Sequence, residues 1–144
     1  MSRLHIHIAV DDLQHNISFY SAMFDAAPTV MKADYAKWQL EDPKVNFAIS
    51  ARGRKTGLDH VGIQAETAAE LSAIEARLQQ ANLPGEAQIG TTCCYAKSDK
   101  YWTVDPQGIA WEAFHTLGEA ALFSETAPME SASACCAPQQ ASCC

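Results

Sequence analysis

The chain has 144 residues, a net charge of −7 and six cysteines. That length suits one domain able to bury about two-thirds of the surface its unfolded form exposes, without cross-links. Its ten basic residues are scattered, which argues against a nucleic-acid or anionic-membrane surface. No apolar run approaches the roughly 20 residues that span a bilayer, and the first residues lack a signal-peptide core. The expectation is a cytoplasmic protein with reduced thiols.

Residues 3–10 alternate at period two (Arg-Leu-His-Ile-His-Ile-Ala-Val) and predict a strand. Asp11 and Asp12 offer an N-cap to a helix running to about Asp25, with an apolar stripe of Leu13, Ile17, Phe19, Tyr20, Met23 and Phe24. Three short strands follow, at about 28–33, 35–40 and 45–50. Asp34 and Asp42-Pro43 punctuate them. The polar segment Arg52-Gly-Arg-Lys-Thr-Gly57 then reads as a connector.

After it the order restarts. Leu58–Gln64 predicts a strand, and Thr67 to about Ala81 a helix with Leu71, Ile74 and Leu78 on one face. Segments near 86–90, 93–97, 100–105 and 109–115 read as strands or hairpin arms. A hairpin is expected at Asp99-Lys100, and a turn at Asp105-Pro-Gln-Gly108. The result is an α+β fold of two βαβββ modules, about 1–52 and 58–116, in one domain spanning 1–116. From about Leu117 the chain turns rich in Ala, Ser, Glu, Pro and Gln, and 117–144 reads as a flexible tail.

The cysteines fall in three adjacent pairs: Cys93-Cys94, Cys135-Cys136 and Cys143-Cys144. Core filler is not distributed that way. Neighbouring thiolates close a small chelate ring around one soft atom, such as trivalent arsenic or cadmium. In a regular strand, however, Cys93 and Cys94 would point to opposite faces. They therefore require a loop or an irregular strand end, which Gly90-Thr-Thr-Cys-Cys permits. The tail pairs either capture soft metal ions or are incidental.

A second constellation is His5, His60 and Glu112. The histidines hold matching places in the two modules, and Glu112 sits in the otherwise apolar Ile109–Phe114. Two histidines and a carboxylate make a facial triad suited to non-haem Fe(II), which zinc, manganese, cobalt or nickel could also occupy. His7 shares the face of His5 and is its rival as a ligand, or a group that orients it. His15 reads as solvated and His115 as structural. Tyr95, Lys100 and Tyr101 are candidates to line the thiol loop, with packing inside a hairpin as the alternative.

Leu58-Asp-His-Val-Gly62 beside a βαβββ repeat resembles the vicinal oxygen chelate superfamily of glyoxalases, extradiol dioxygenases and antibiotic-resistance proteins. The segments Thr92–Ala96, Asp99-Lys-Tyr-Trp102, Asp105–Gly108 and Trp111-Glu112 resemble its organoarsenical carbon–arsenic lyases and cadmium-induced proteins. The resemblance covers about residues 1–115. It implies a cupped mixed sheet with a metal inside, and an Fe(II)-dependent dioxygenase that uses O2 to cleave the carbon–arsenic bond of methylarsenite or trivalent aromatic arsenicals. His5, His60 and Glu112 map onto the family's metal positions, and Cys93 and Cys94 onto its arsenic-binding pair. The competing readings are a cadmium or arsenite sequestration protein without turnover, and a glyoxalase-like lyase. A homodimer is compatible with either.

Overall fold

The computed structural model describes residues 1–123. Ten elements follow in order: β1 (Arg3–Ala9), α1 (Leu13–Phe24), β2 (Val30–Lys32), β3 (Tyr35–Glu41), β4 (Lys44–Ser50), β5 (Gly57–Ala65), α2 (Ala68–Gln80), β6 (Gly85–Cys93), β7 (Ala96–Val104) and β8 (Ala110–Glu119). The eight strands form one curled mixed sheet in the order β2-β3-β4-β1-β5-β8-β7-β6. Within each module the last strand returns parallel to the first, β4 beside β1 and β8 beside β5. The modules meet where β1 runs antiparallel to β5. The strand that opens each module therefore lies at the middle of the sheet.

Alternation sorts the side chains to two faces. Outward residues of the first half pack under α1, where Val10, Leu13, Ala36, Trp38, Phe47 and Ile49 form a core. Asp12 caps that helix by accepting a hydrogen bond from the His15 amide. The stripe is narrower than expected. Leu13, Ile17, Tyr20 and Phe24 meet the core, whereas Phe19 and Met23 are exposed, off the line that i, i+4, i+7 spacing draws. The second half repeats the plan more sparsely, with Ala65, Leu71, Tyr101 and Ala113 packed with Ile74 and Leu78 of α2.

Two boundaries differ from the sequence expectation. Asp99 and Lys100 lie inside β7, and the hairpin instead turns at Cys94-Tyr95, between the paired residues Cys93 and Ala96. β7 instead buries Ser98 and Lys100 on its inner face. The last strand also runs past the expected domain end at 116. β8 continues to Glu119 against β7, and Phe123 is buried beside Tyr35 and Tyr95. The tail pairs Cys135-Cys136 and Cys143-Cys144 lie outside the described residues.

Candidate metal centre and thiol hairpin

The inner face of the sheet gathers what the outer face excludes. His5 and His7 of β1, His60 of β5 and Glu112 of β8 are all at most 5% exposed. His5 Nε2 lies 3.2 Å from His60 Nε2. Glu112 Oε2 is 3.3 Å from His60 Nε2 and 3.7 Å from His5 Nε2. For bonds of about 2.1 Å to a divalent ion, adjacent octahedral donors stand about 3.0 Å apart. The three donors fit such an ion after a small closing of the triangle.

Each imidazole is held by its other nitrogen. His60 Nδ1 donates to Asp59 Oδ2 at 2.7 Å, and Asp59 is in turn paired with Arg54 Nε at 3.0 Å. His5 Nδ1 donates to the Asn46 carbonyl at 3.1 Å. Outer partners of this kind fix the tautomer and aim the remaining nitrogen inward. Asp59 and His60 are neighbours in a strand, so a regular strand would send them to opposite faces. The ladder slips there: His7 faces His60, but Ile8 faces Leu58, which leaves Asp59 as the extra residue of a bulge. The glycine of the same Leu58–Gly62 segment has a separate reason. A Cβ on Gly62 would overlap the Glu112 carbonyl, so only glycine allows β5 and β8 to pair at this point.

The electrostatics suit a cation. Burial lowers His5 to about 4, helped by the neighbouring His60, and lowers His7 to about 3 for the same reasons. Both imidazoles are neutral near pH 7 and can act as ligands. Burial alone would push Glu112 up. The charge of Lys100 and the hydrogen bond with His60 outweigh it and hold the carboxyl well below the usual range. Lys100 Nζ donates to Glu112 Oε1, leaving Oε2 on the histidine side.

Cys93 and Cys94 are brought together as their spacing required. Both residues of the two-residue turn have positive φ, 56° at Cys94 and 60° at Tyr95. Such a turn normally takes Asn-Gly, and a side chain in that region is unfavourable by roughly 1–2 kcal/mol. The twist turns Cys94 back onto Cys93, so the two Sγ atoms stand 3.1 Å apart. With bonds of about 2.3 Å, the zinc–thiolate length, a bridged atom would see them at about 85°. Tyr95 clasps the turn to the far edge of the sheet. Its hydroxyl donates to Asp34 Oδ1 at 2.5 Å, and Arg52 pairs with the other oxygen of the same carboxylate. Burial, followed by that hydrogen bond, pushes the Tyr95 phenol up to about 12.

Tyr35 joins the two sites. Its ring lies 6.1 Å from His7 and 5.8 Å from Tyr95, and it packs with Cys93. Two further aromatics wall the metal centre and were missed by the sequence reading. Trp102 meets His60 edge-on at 5.2 Å, and Phe114 meets His5 at 5.2 Å. The available signal was alternation, because each lies two residues from an inner-face group, Lys100 or Glu112. Tyr101 is the converse correction. It stands on the outer face under α2, where strand parity puts it, and does not line the thiol loop. His15 lies on exposed helix surface and His115 bonds to the Ala65 carbonyl, as expected.

A curled sheet of paired βαβββ modules defines a cupped-sheet fold, and its buried histidines form a donor group that could hold a metal ion. The chain belongs to the Glyoxalase/Bleomycin resistance protein/Dioxygenase superfamily, whose profile matches residues 2–113. It is 41% identical over 119 residues to the trivalent organoarsenical cleaving enzyme of Bacillus sp. (strain MD1), covering 81% of this chain and 74% of that one. It is 36% identical over 148 residues to the cadmium-induced protein CadI of Mycobacterium bovis, covering 98% and 97%. Among solved structures, an extradiol ring-cleaving dioxygenase from B. fuscum matches with a TM-score of 0.61 and 16% identity. That match covers 82% of this chain and 33% of the dioxygenase, and it shows the fold alone. No helix among the described residues is long and apolar enough to cross a membrane.

Proposed function

We propose that the protein is an Fe(II)-dependent, oxygen-dependent carbon–arsenic lyase that converts trivalent organoarsenicals such as methylarsenite into arsenite. The observation that carries this reading is the pair of thiols 3.1 Å apart on a hairpin packed, through Tyr35, against a buried two-histidine-one-carboxylate group. The organoarsenical-cleaving relative supports the substrate class.

Cys93 and Cys94 act as the arsenic clamp. Two As–S bonds form as two hydroxyls leave the arsenical, each taking a thiol proton away as water. The clamp fixes the arsenic and leaves its carbon substituent as the one group free to turn inward. Holding the reacting groups in one site replaces a multi-body encounter by a local step. His5, His60 and Glu112 would hold Fe(II), which supplies activation of O2. Lys100 keeps Glu112 ionised, and Asp59 and the Asn46 carbonyl keep both ligand nitrogens available. Trp102, Phe114 and Tyr35 exclude water. With O2 as oxidant, methylarsenite balances to arsenous acid and formaldehyde.

The test is anaerobic loading with Fe(II), addition of methylarsenite and then oxygen, and arsenic speciation over time. Wild type is run beside Cys93→Ser and Glu112→Ala. Arsenite formation that disappears in both variants is the expected result. Tight binding without loss of methyl in wild type would leave a second reading in its place, sequestration of arsenite or cadmium, which the cadmium-induced relative favours.

A further inference from the structure

His7 is used by neither half of that chemistry, although it is 1% exposed and lies against the centre. Its Nε2 is 2.8 Å from Ser50 Oγ, and its Nδ1 has no hydrogen-bond partner among the described residues. Leaving a buried polar nitrogen unsatisfied is unfavourable by about 1–3 kcal/mol unless something else engages it. The three inner histidines obey one rule: one ring nitrogen is tied to the protein, His5 Nδ1 to Asn46, His60 Nδ1 to Asp59 and His7 Nε2 to Ser50. That is how ligating imidazoles are aimed. One ligand-type atom from each of the three lies within 4.8 Å of the other two.

We propose that His7 is a further metal ligand, and that His5, His7 and His60 form a three-histidine set for a borderline divalent cation such as Zn(II), Co(II) or Ni(II). Neutral imidazoles suit these ions, and three of them suffice for zinc. Glu112 belongs to the carboxylate triad instead, and its charge is already offset by Lys100. The buried centre thus holds two overlapping donor sets that share His5 and His60. The inference stands apart from any organoarsenical.

Two measurements test it. In the full wild-type chain labelled with 15N at histidine, excess Zn(II) should move His7 Nδ1 together with the Nε2 atoms of His5 and His60 into the metal-bound range. Affinity is then read by competition with a chromophoric chelator, in the full chain with all six cysteines changed to serine so that thiolates do not capture the zinc. There His7→Leu should weaken zinc binding more than about 100-fold and Glu112→Gln less than about 10-fold. If His7→Leu does not fold, Ser50→Ala should weaken it about 10- to 100-fold by releasing the ring. An unmoved His7 resonance, or an affinity untouched by both His7→Leu and Ser50→Ala, overturns the proposal. Zinc bound through His7 in a protein that turns over no arsenical would sink the lyase reading alone. Turnover in a protein whose His7 stays silent would sink only this one.

Discussion

The imidazole–carboxylate centre and the thiol hairpin are built by opposite means. The centre rests on regular strands in the middle of the sheet, with side chains delivered by simple alternation and one bulge at Asp59. The hairpin lies at the β6 edge and depends on a strained turn, with Cys94 and Tyr95 both in left-handed backbone. Buried ligands gain rigidity and neutral imidazoles from the sheet around them. The thiol turn is instead held across the curl of the sheet, where Cys93 packs with Tyr35 and Phe123 and Tyr95 bonds to Asp34. Regular pairing sets the first group and a strained turn the second; on the function proposed above, the first would hold the ion and the second the substrate.

The largest expected effect is on the centre's scaffold. Gly62→Ala should abolish folding or lower stability by more than about 4 kcal/mol, because the new methyl overlaps backbone and not a movable side chain. Urea denaturation checks it, and a mild effect would mean that β5 and β8 can separate there. Next is the buried ion pair. Glu112→Ala should lower stability by about 3–5 kcal/mol by removing the carboxylate that Lys100 contacts, whereas Glu112→Leu with Lys100→Met should recover most of that loss. A double variant as unstable as the single one would show that the pair is not the cause.

The pH dependence should belong to the centre as well. In the metal-free protein, folded His5 and His7 take up protons only near 4 and 3, while unfolded histidine does so near 6.5. Below pH 6.5 the unfolded chain binds more protons, so stability falls as pH falls. The loss by pH 5 is on the order of 2 kcal/mol per histidine, and stability is level above about pH 7. Thermal melts from pH 5 to 8 would read this, and His7→Leu should flatten the slope.

The hairpin should respond in the other direction. Cys94→Gly relieves a left-handed side chain and should raise stability by about 1 kcal/mol, while arsenical affinity collapses because one arm of the chelate is gone. Stability and binding lost together would contradict the idea that the turn is strained for the sake of the clamp. Smallest is Tyr95→Phe, which removes the hydrogen bond to Asp34. It should lower stability by about 1 kcal/mol and weaken arsenical binding a few-fold, as titrations with a trivalent arsenical would show.

Much of this molecule is legible in one dimension. Alternation in residues 3–10 places His5 and His7 on one face, and the repeated strand–helix–strand order aligns His5 with His60. Adjacency of Cys93 and Cys94 demands an irregular backbone, and the turn supplies it. Other features were hidden for physical reasons. The hairpin could not be placed from Asp99-Lys100, because buried charge reads as turn chemistry until its partner Glu112 is known. Tyr101 and Trp102 are neighbours of like character, and strand parity alone sends one under α2 and the other to the histidines.

By itself, then, the sequence determined the donors: which residues carry lone pairs, how they repeat, and that one cysteine pair must leave the strand. Those are consequences of covalent order and of periods of 2 and 3.6 residues. Only the tertiary structure decided which donors meet. Glu112 reaches the histidines because β8 returns parallel to β5, Asp59 reaches His60 because the ladder slips by one residue, and Tyr35 meets Cys93 because the sheet curls until its two halves touch. Distances across a curled sheet depend on pairing and curvature summed over many strands, and no local stretch of chain encodes that sum.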